Sequence, residues 1–242
     1  MIRSLPRQFW WVALFAVAMA FLESAVVVYL RALYYPEGFS FPLVPIDREL
    51  GIAEVFREAA TLIMLLTPGA LISRNAIDRF AWFCLAFGVW DIFYYLWLFV
   101  LIGWPSSFFE WDILFLIPVP WVGPVLAPCV VSLGLIVLAL IIHRGRGRVN
   151  GFTVGRSNWI LLAIGAGAII TSFLIDPLRH LHLSDTMGQA WSIARQGERT
   201  FDGMGNVVPR DYPWVVFVVG GGVTALGMVG LWRRAERGRV AH

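Results

Sequence analysis

Four stretches of this chain hold no Asp, Glu, Lys or Arg: residues 92–109, 113–142, 157–175 and 212–232. About 18 such residues suffice to propose a helix that crosses a bilayer, because hydrocarbon solvates neither a charge nor an unpaired backbone group. Composition points the same way. Of 242 residues, 59% are hydrophobic and 14% charged, against roughly 25% charged in soluble domains. The pattern predicts an all-α polytopic membrane protein, one transmembrane domain over 1–242 built as a bundle of six spans. These run at about 9–30, 51–72, 80–102, 121–142, 158–177 and 213–232, each near the ~20 residues that cross a ~30 Å core.

The start has the features of a signal peptide, with Arg3 and Arg7 before an apolar stretch and Ala18-Met19-Ala20 as a cleavage site. The apolar run continues through Leu30, so a retained signal anchor is expected. Arginine sets the orientation. The N-terminus, 73–79, 143–157 and 233–242 hold twelve arginines, and the alternate loops, including a long one over 178–212, hold six. The excess of basic residues stays in the cytoplasm, which puts both termini inside a plasma (inner) membrane. His143-Arg144-Gly145-Arg146-Gly147-Arg148 then reads as a cytoplasmic loop facing anionic headgroups. Tryptophans flank the spans at both levels, as interfacial aromatics do.

Several function classes fall away. The basic residues are scattered over short loops rather than gathered on one face, so the net charge of +3 does not argue for nucleic acid. All nineteen are arginine, which excludes any lysine Schiff base or lysine general base. Cys84 and Cys129 have no CxxC partner, and a free buried cysteine usually behaves as a small hydrophobe. No histidine is centred in a span, as an axial haem ligand would be, and no cofactor is expected. Gly220-Gly221-Gly222-Val223-Thr224-Ala225 spells a dinucleotide fingerprint but lies in an apolar span with no strand before it.

Acids at membrane depth carry the functional argument, because each costs roughly 2.5–3.5 kcal/mol on insertion scales and needs a partner or a purpose. Glu23 falls in the outer third of the first span. Glu54, Arg57 and Glu58 fall in the outer turns of the second, where i,i+3 and i,i+4 spacing places them with Thr61 on one face. Asp91 sits in the third span with Tyr94 and Tyr95 on the same side, Asp112 precedes the fourth, and Asp176 ends the fifth just before a helix-stopping Pro177. All belong to the outer half. If they converge, the group is formally negative and suits a proton, a cation or the cationic end of a substrate.

Pro118, Pro120, Pro124 and Pro128 interrupt the long uncharged stretch. A proline-broken, interfacial or re-entrant segment is therefore expected over 110–119, with the fourth span starting near Trp121. His180 and His182 are weak metal candidates. Small residues at Gly165, Gly167, Gly220 and Gly221 allow close helix contact, within the chain, in a homo-oligomer or with a membrane partner. The leading expectation is an outward-facing cavity built on Glu58, Arg57 and Asp91, with Glu23, Glu54, Tyr95, Asp112 and Asp176 around it, acting as carrier or relay. Its competitors are a non-catalytic subunit or assembly factor of a larger complex and a membrane enzyme acting on a lipid or extracytoplasmic substrate.

Overall fold

Helix α3 (Ala76–Ile102) is the axis of the bundle, burying Ala81, Leu85, Ala86, Trp90, Asp91, Tyr95 and Leu98 among its neighbours. The computed structural model describes residues 7–44, 46–117, 119–149, 151–180 and 211–237. Around α3 lie α1 (Arg7–Tyr34), α2 (Arg48–Ile72) and α4 (Leu126–Arg148), while α5 (Arg156–His180) and α6 (Trp214–Arg237) form a pair packed on through α4. All six are long and apolar enough to cross a membrane. Large apolar side chains stay exposed on their outer surfaces, among them Leu33, Phe56, Leu71 and Val215. That much apolar surface is costly in water and needs no cover in lipid.

Local chemistry fixes the ends of α3. The Asn75 side chain caps it, accepting from the backbone N–H groups of Ile77 (2.9 Å) and Asp78 (3.4 Å), a contact worth about 1 kcal/mol. At the other end Gly103 takes the left-handed conformation (φ 68°) that closes a helix without a Cβ clash. Gly88 lets α4 approach: a Cβ there would stand 2.6 Å from the Ser132 carbonyl oxygen. Between α5 and α6 a similar seam forms, where a Cβ on Gly220 would stand 2.9 Å from the Gly165 carbonyl oxygen and Asn158 donates to the Gly227 carbonyl (2.8 Å).

Four expectations are modified. The proline-rich segment is an antiparallel hairpin, β1 (Trp111–Phe115) with β2 (Trp121–Pro124), pairing Asp112 with Gly123 and Ile113 with Val122. Residues before proline favour extended backbone, which suits Gly123 before Pro124 to β2, and α4 starts only at Leu126. Pro128 fits in that helix's first turn, where a missing N–H costs nothing. Pro177 does not stop α5, which continues to His180; its missing N–H forgoes one bond, to the carbonyl of Phe173 in the turn before it. The Arg144–Arg148 run is helical rather than a loop, with Arg146 forked onto Asp78 (2.9 and 3.0 Å) and Arg144 and Arg148 sharing Glu236. Gly220–Ala225, by contrast, lies as expected within α6, in helical backbone.

Candidate functional site

Helical spacing brings three faces together at the hairpin end of α1, α2 and α3. On α1 the face is Glu23, Val27, Leu30, Arg31 and Tyr34; on α2 it is Glu54, Arg57, Glu58 and Thr61; on α3 it is Trp90, Asp91, Tyr94 and Tyr95. Each set follows the i,i+3,i+4 rule for side chains on one side of a helix. Helices α1 and α2 both pack on α3 but scarcely touch each other. The gap between them is a cavity of about 140 Å³, capped by Tyr35, Phe39, Leu43, Val44 and Ile46 and by β1 with Leu116.

Of the eight residues singled out from sequence, Glu23, Glu54, Arg57, Glu58, Asp91, Tyr95 and Asp112 line this one cavity. Asp176 does not; it is buried on α5, outside the lining. His182 lies outside the described residues, and His180 closes α5.

The charges are unevenly answered. Arg57 serves two acids, its guanidinium donating from Nε (2.9 Å) and Nη2 (2.7 Å) to Glu54 and contacting Glu23 through Nη1. Glu23 also accepts from the Thr61 hydroxyl (3.0 Å), a second link across the α1–α2 gap. Asp112 faces Arg31 at 3.2 Å. The Arg31 guanidinium in turn lies over the rings of Phe39 (4.4 Å) and Trp104 (3.7 Å), so two cation–π contacts tie the cap to the end of α3 over the cavity. Burial raises the Asp112 carboxyl above the usual aspartate range, against the opposing pull of Arg31, the Ile113 backbone N–H and Tyr95.

Glu58 and Asp91 are treated differently. Both Glu58 oxygens accept from the Leu116 backbone N–H (2.9 Å each), which pins the hairpin turn to α2. Asp91 accepts from the Ser132 hydroxyl on α4 (2.7 Å). Among the described residues neither forms an ion pair. If every lining acid is ionised, five negative charges face two positive ones, an excess of three. Both acids are buried, 7% and 8% exposed, so water compensates little of that excess.

Arg31 and Trp90 were not singled out from sequence. The available signal for Arg31 was its spacing of eight from Glu23, two turns along the same face. Trp90 precedes Asp91 in Trp90-Asp91-Ile92, and the same triplet recurs as Trp111-Asp112-Ile113. The two aspartates come from a helix and a strand to line the same space. Among the described residues the indole N–H of Trp90, the Oδ2 of Asp112 and the Nη1 of Arg31 have no hydrogen-bond partner. No protein-family model, curated protein or solved structure matches this chain.

Proposed function

We propose that this chain is an integral membrane protein whose cavity binds a proton, a cation or a small polar or lipid substrate from the extracytoplasmic side, as a carrier or relay. The observation that carries the reading is the imbalance of five lining acids against two arginines, with Glu58 and Asp91 held only by neutral donors. A buried charge without a counter-charge is unstable unless it takes a proton or a cation. Such residues in membrane helices are functional by default. The arginine bias supports placing the hairpin end outside and both termini in the cytoplasm of a plasma (inner) membrane.

The test is flux through liposomes containing the purified chain, driven by an imposed gradient of protons or monovalent cations. E58Q and D91N should each lower the flux at least about tenfold, roughly 1.4 kcal/mol of lost interaction, and still insert and melt as the parent does. Wild-type flux in both variants would remove this reading.

A second reading, a subunit docked on a membrane partner, is favoured by Gly167, Gly221 and Gly222, where an added Cβ would meet open space. Bulky replacement there would abolish co-purification with a partner and leave cation flux untouched. The reading as a membrane enzyme draws on the same acids, which would serve as general acid or base; conversion of a lipid by the purified chain would support it.

A further inference from the structure

We infer that the cavity's guest is a small organic ammonium ion that also carries an oxygen, the chemistry of an amino alcohol, supplied free or as the headgroup of a lipid. The inference rests on the cation-binding reading above and adds the class of guest.

Size comes first. A cavity of about 140 Å³ is close to the roughly 150 Å³ that takes up a benzene molecule, so it suits a guest of a few to several heavy atoms. A proton fills none of it and a bare metal ion very little. Geometry argues against the metal as well. Among the described residues no three His, Cys, Asp or Glu side chains group closely enough to hold one ion, whereas hard divalent cations gather many oxygens at short range. Here Glu58 and Asp91 stand on separate walls, α2 and α3, an arrangement met by a cation with several donors on an extended body.

The walls themselves are aromatic. Trp90 stacks with Tyr94 (centroids 6.2 Å apart), Tyr94 meets Tyr95 edge-on at 5.0 Å, and Phe115 lies 6.4 Å from Trp90. Rings beside carboxylates recognise ammonium groups, whose positive charge is attracted to a π face. Unpartnered lining atoms complete the specification, and Arg31 Nη1 is among them, a donor that likewise calls for an oxygen on the guest. Trp90 is 5% exposed and its N–H lacks an acceptor; Asp112 is 3% exposed and its Oδ2 lacks a donor. Left alone, each such atom is costly. A purely hydrocarbon ammonium ion can offer the Trp90 N–H nothing, and an oxygen two carbons from the nitrogen can.

Calorimetric titration of the full chain in detergent tests this with a matched pair, ethanolamine and propylamine, which share size and charge and differ in the oxygen. Ethanolamine should bind about tenfold more tightly, and W90F should bring the two to within about twofold by removing the donor. E58Q and D91N should weaken both amines at least about tenfold. Equal affinity of the wild type for the two amines overturns the proposal. So does binding of sodium, magnesium or protons with no binding of either amine, an outcome that leaves the cation cavity standing. No uptake of any cation removes both. The amine comparison needs only the wild-type chain, so a variant that fails to fold does not rescue the idea. Native mass spectrometry from vesicles of equal phosphatidylethanolamine and phosphatidylglycerol then assigns the source. Selective retention of phosphatidylethanolamine, lost in E58Q, makes the guest a lipid headgroup; ethanolamine binding without such retention makes it the free amine.

Discussion

Arg57 holds two acids from two helices, and this makes it the residue whose loss should be felt most in folding. Its side chain is 23% exposed, and those of Glu23 and Glu54 are 11% and 8% exposed, so removing the cation leaves two carboxylates in a medium that solvates them poorly. Breaking a buried pair in this way costs about 3–5 kcal/mol; the residual exposure of Arg57 places the expected loss for R57M near the lower figure. Denaturant unfolding in detergent measures it. The triple variant R57M/E23Q/E54Q should recover much of the loss, because the penalty lies in the orphaned charges rather than in the missing contact. Failure of the triple to recover would mean that Arg57 acts by packing. At this scale the acids were legible, since any carboxylate in an apolar run stands out against its insertion cost. What answers each acid was less so. Ser132 lies on another helix and the Leu116 N–H belongs to the backbone, and neither carries a mark in sequence.

The position of Asp91 depends on how closely α3 and α4 approach, and Gly88 sets that distance. A methyl group at 88 would meet the Ser132 carbonyl oxygen at 2.6 Å and the Ile136 side chain at 2.8 Å. The first of these is backbone and cannot swing away. G88A should therefore destabilise the bundle by about 1–3 kcal/mol, as overpacked cores do, despite alanine's better helix propensity. It should also weaken cation binding by parting Ser132 from Asp91. Thermal unfolding checks the first effect and titration the second; a stabilised G88A would show that the two helices can separate at no cost. The spans themselves were readable, because six predominantly apolar runs of spanning length admit little but helices. The hairpin was not. Its prolines announced a break, but strand pairing depends on partners supplied by the fold: Trp121 stacks on Phe173 of α5 (6.3 Å), and a Cβ on Gly123 would collide with that ring. Pro177 misled because the single bond it removes, to the turn before it, did not end a helix that runs on to His180.

At the scale of the whole molecule the bundle divides in two. The α5–α6 pair is closed tightly by glycine against glycine, while α1 and α2 lean on α3 from either side and leave the space between them to polar groups. Separate helices thus bring their acids to one enclosure, and the hairpin closes it with Asp112 and the Leu116 N–H. Helical periodicity let the acidic face of each helix be read from sequence, but not which faces would meet; that follows from the packing of α1 and α2 on α3. The claim that organises the account is that Glu58 and Asp91, 33 positions apart in the chain, act on a single guest. A double-mutant cycle on cation binding, comparing wild type, E58Q, D91N and E58Q/D91N by calorimetry, tests it most directly. Groups that share a partner couple by about 0.5–3 kcal/mol; the account predicts coupling of at least about 1 kcal/mol, and strictly additive losses would contradict it.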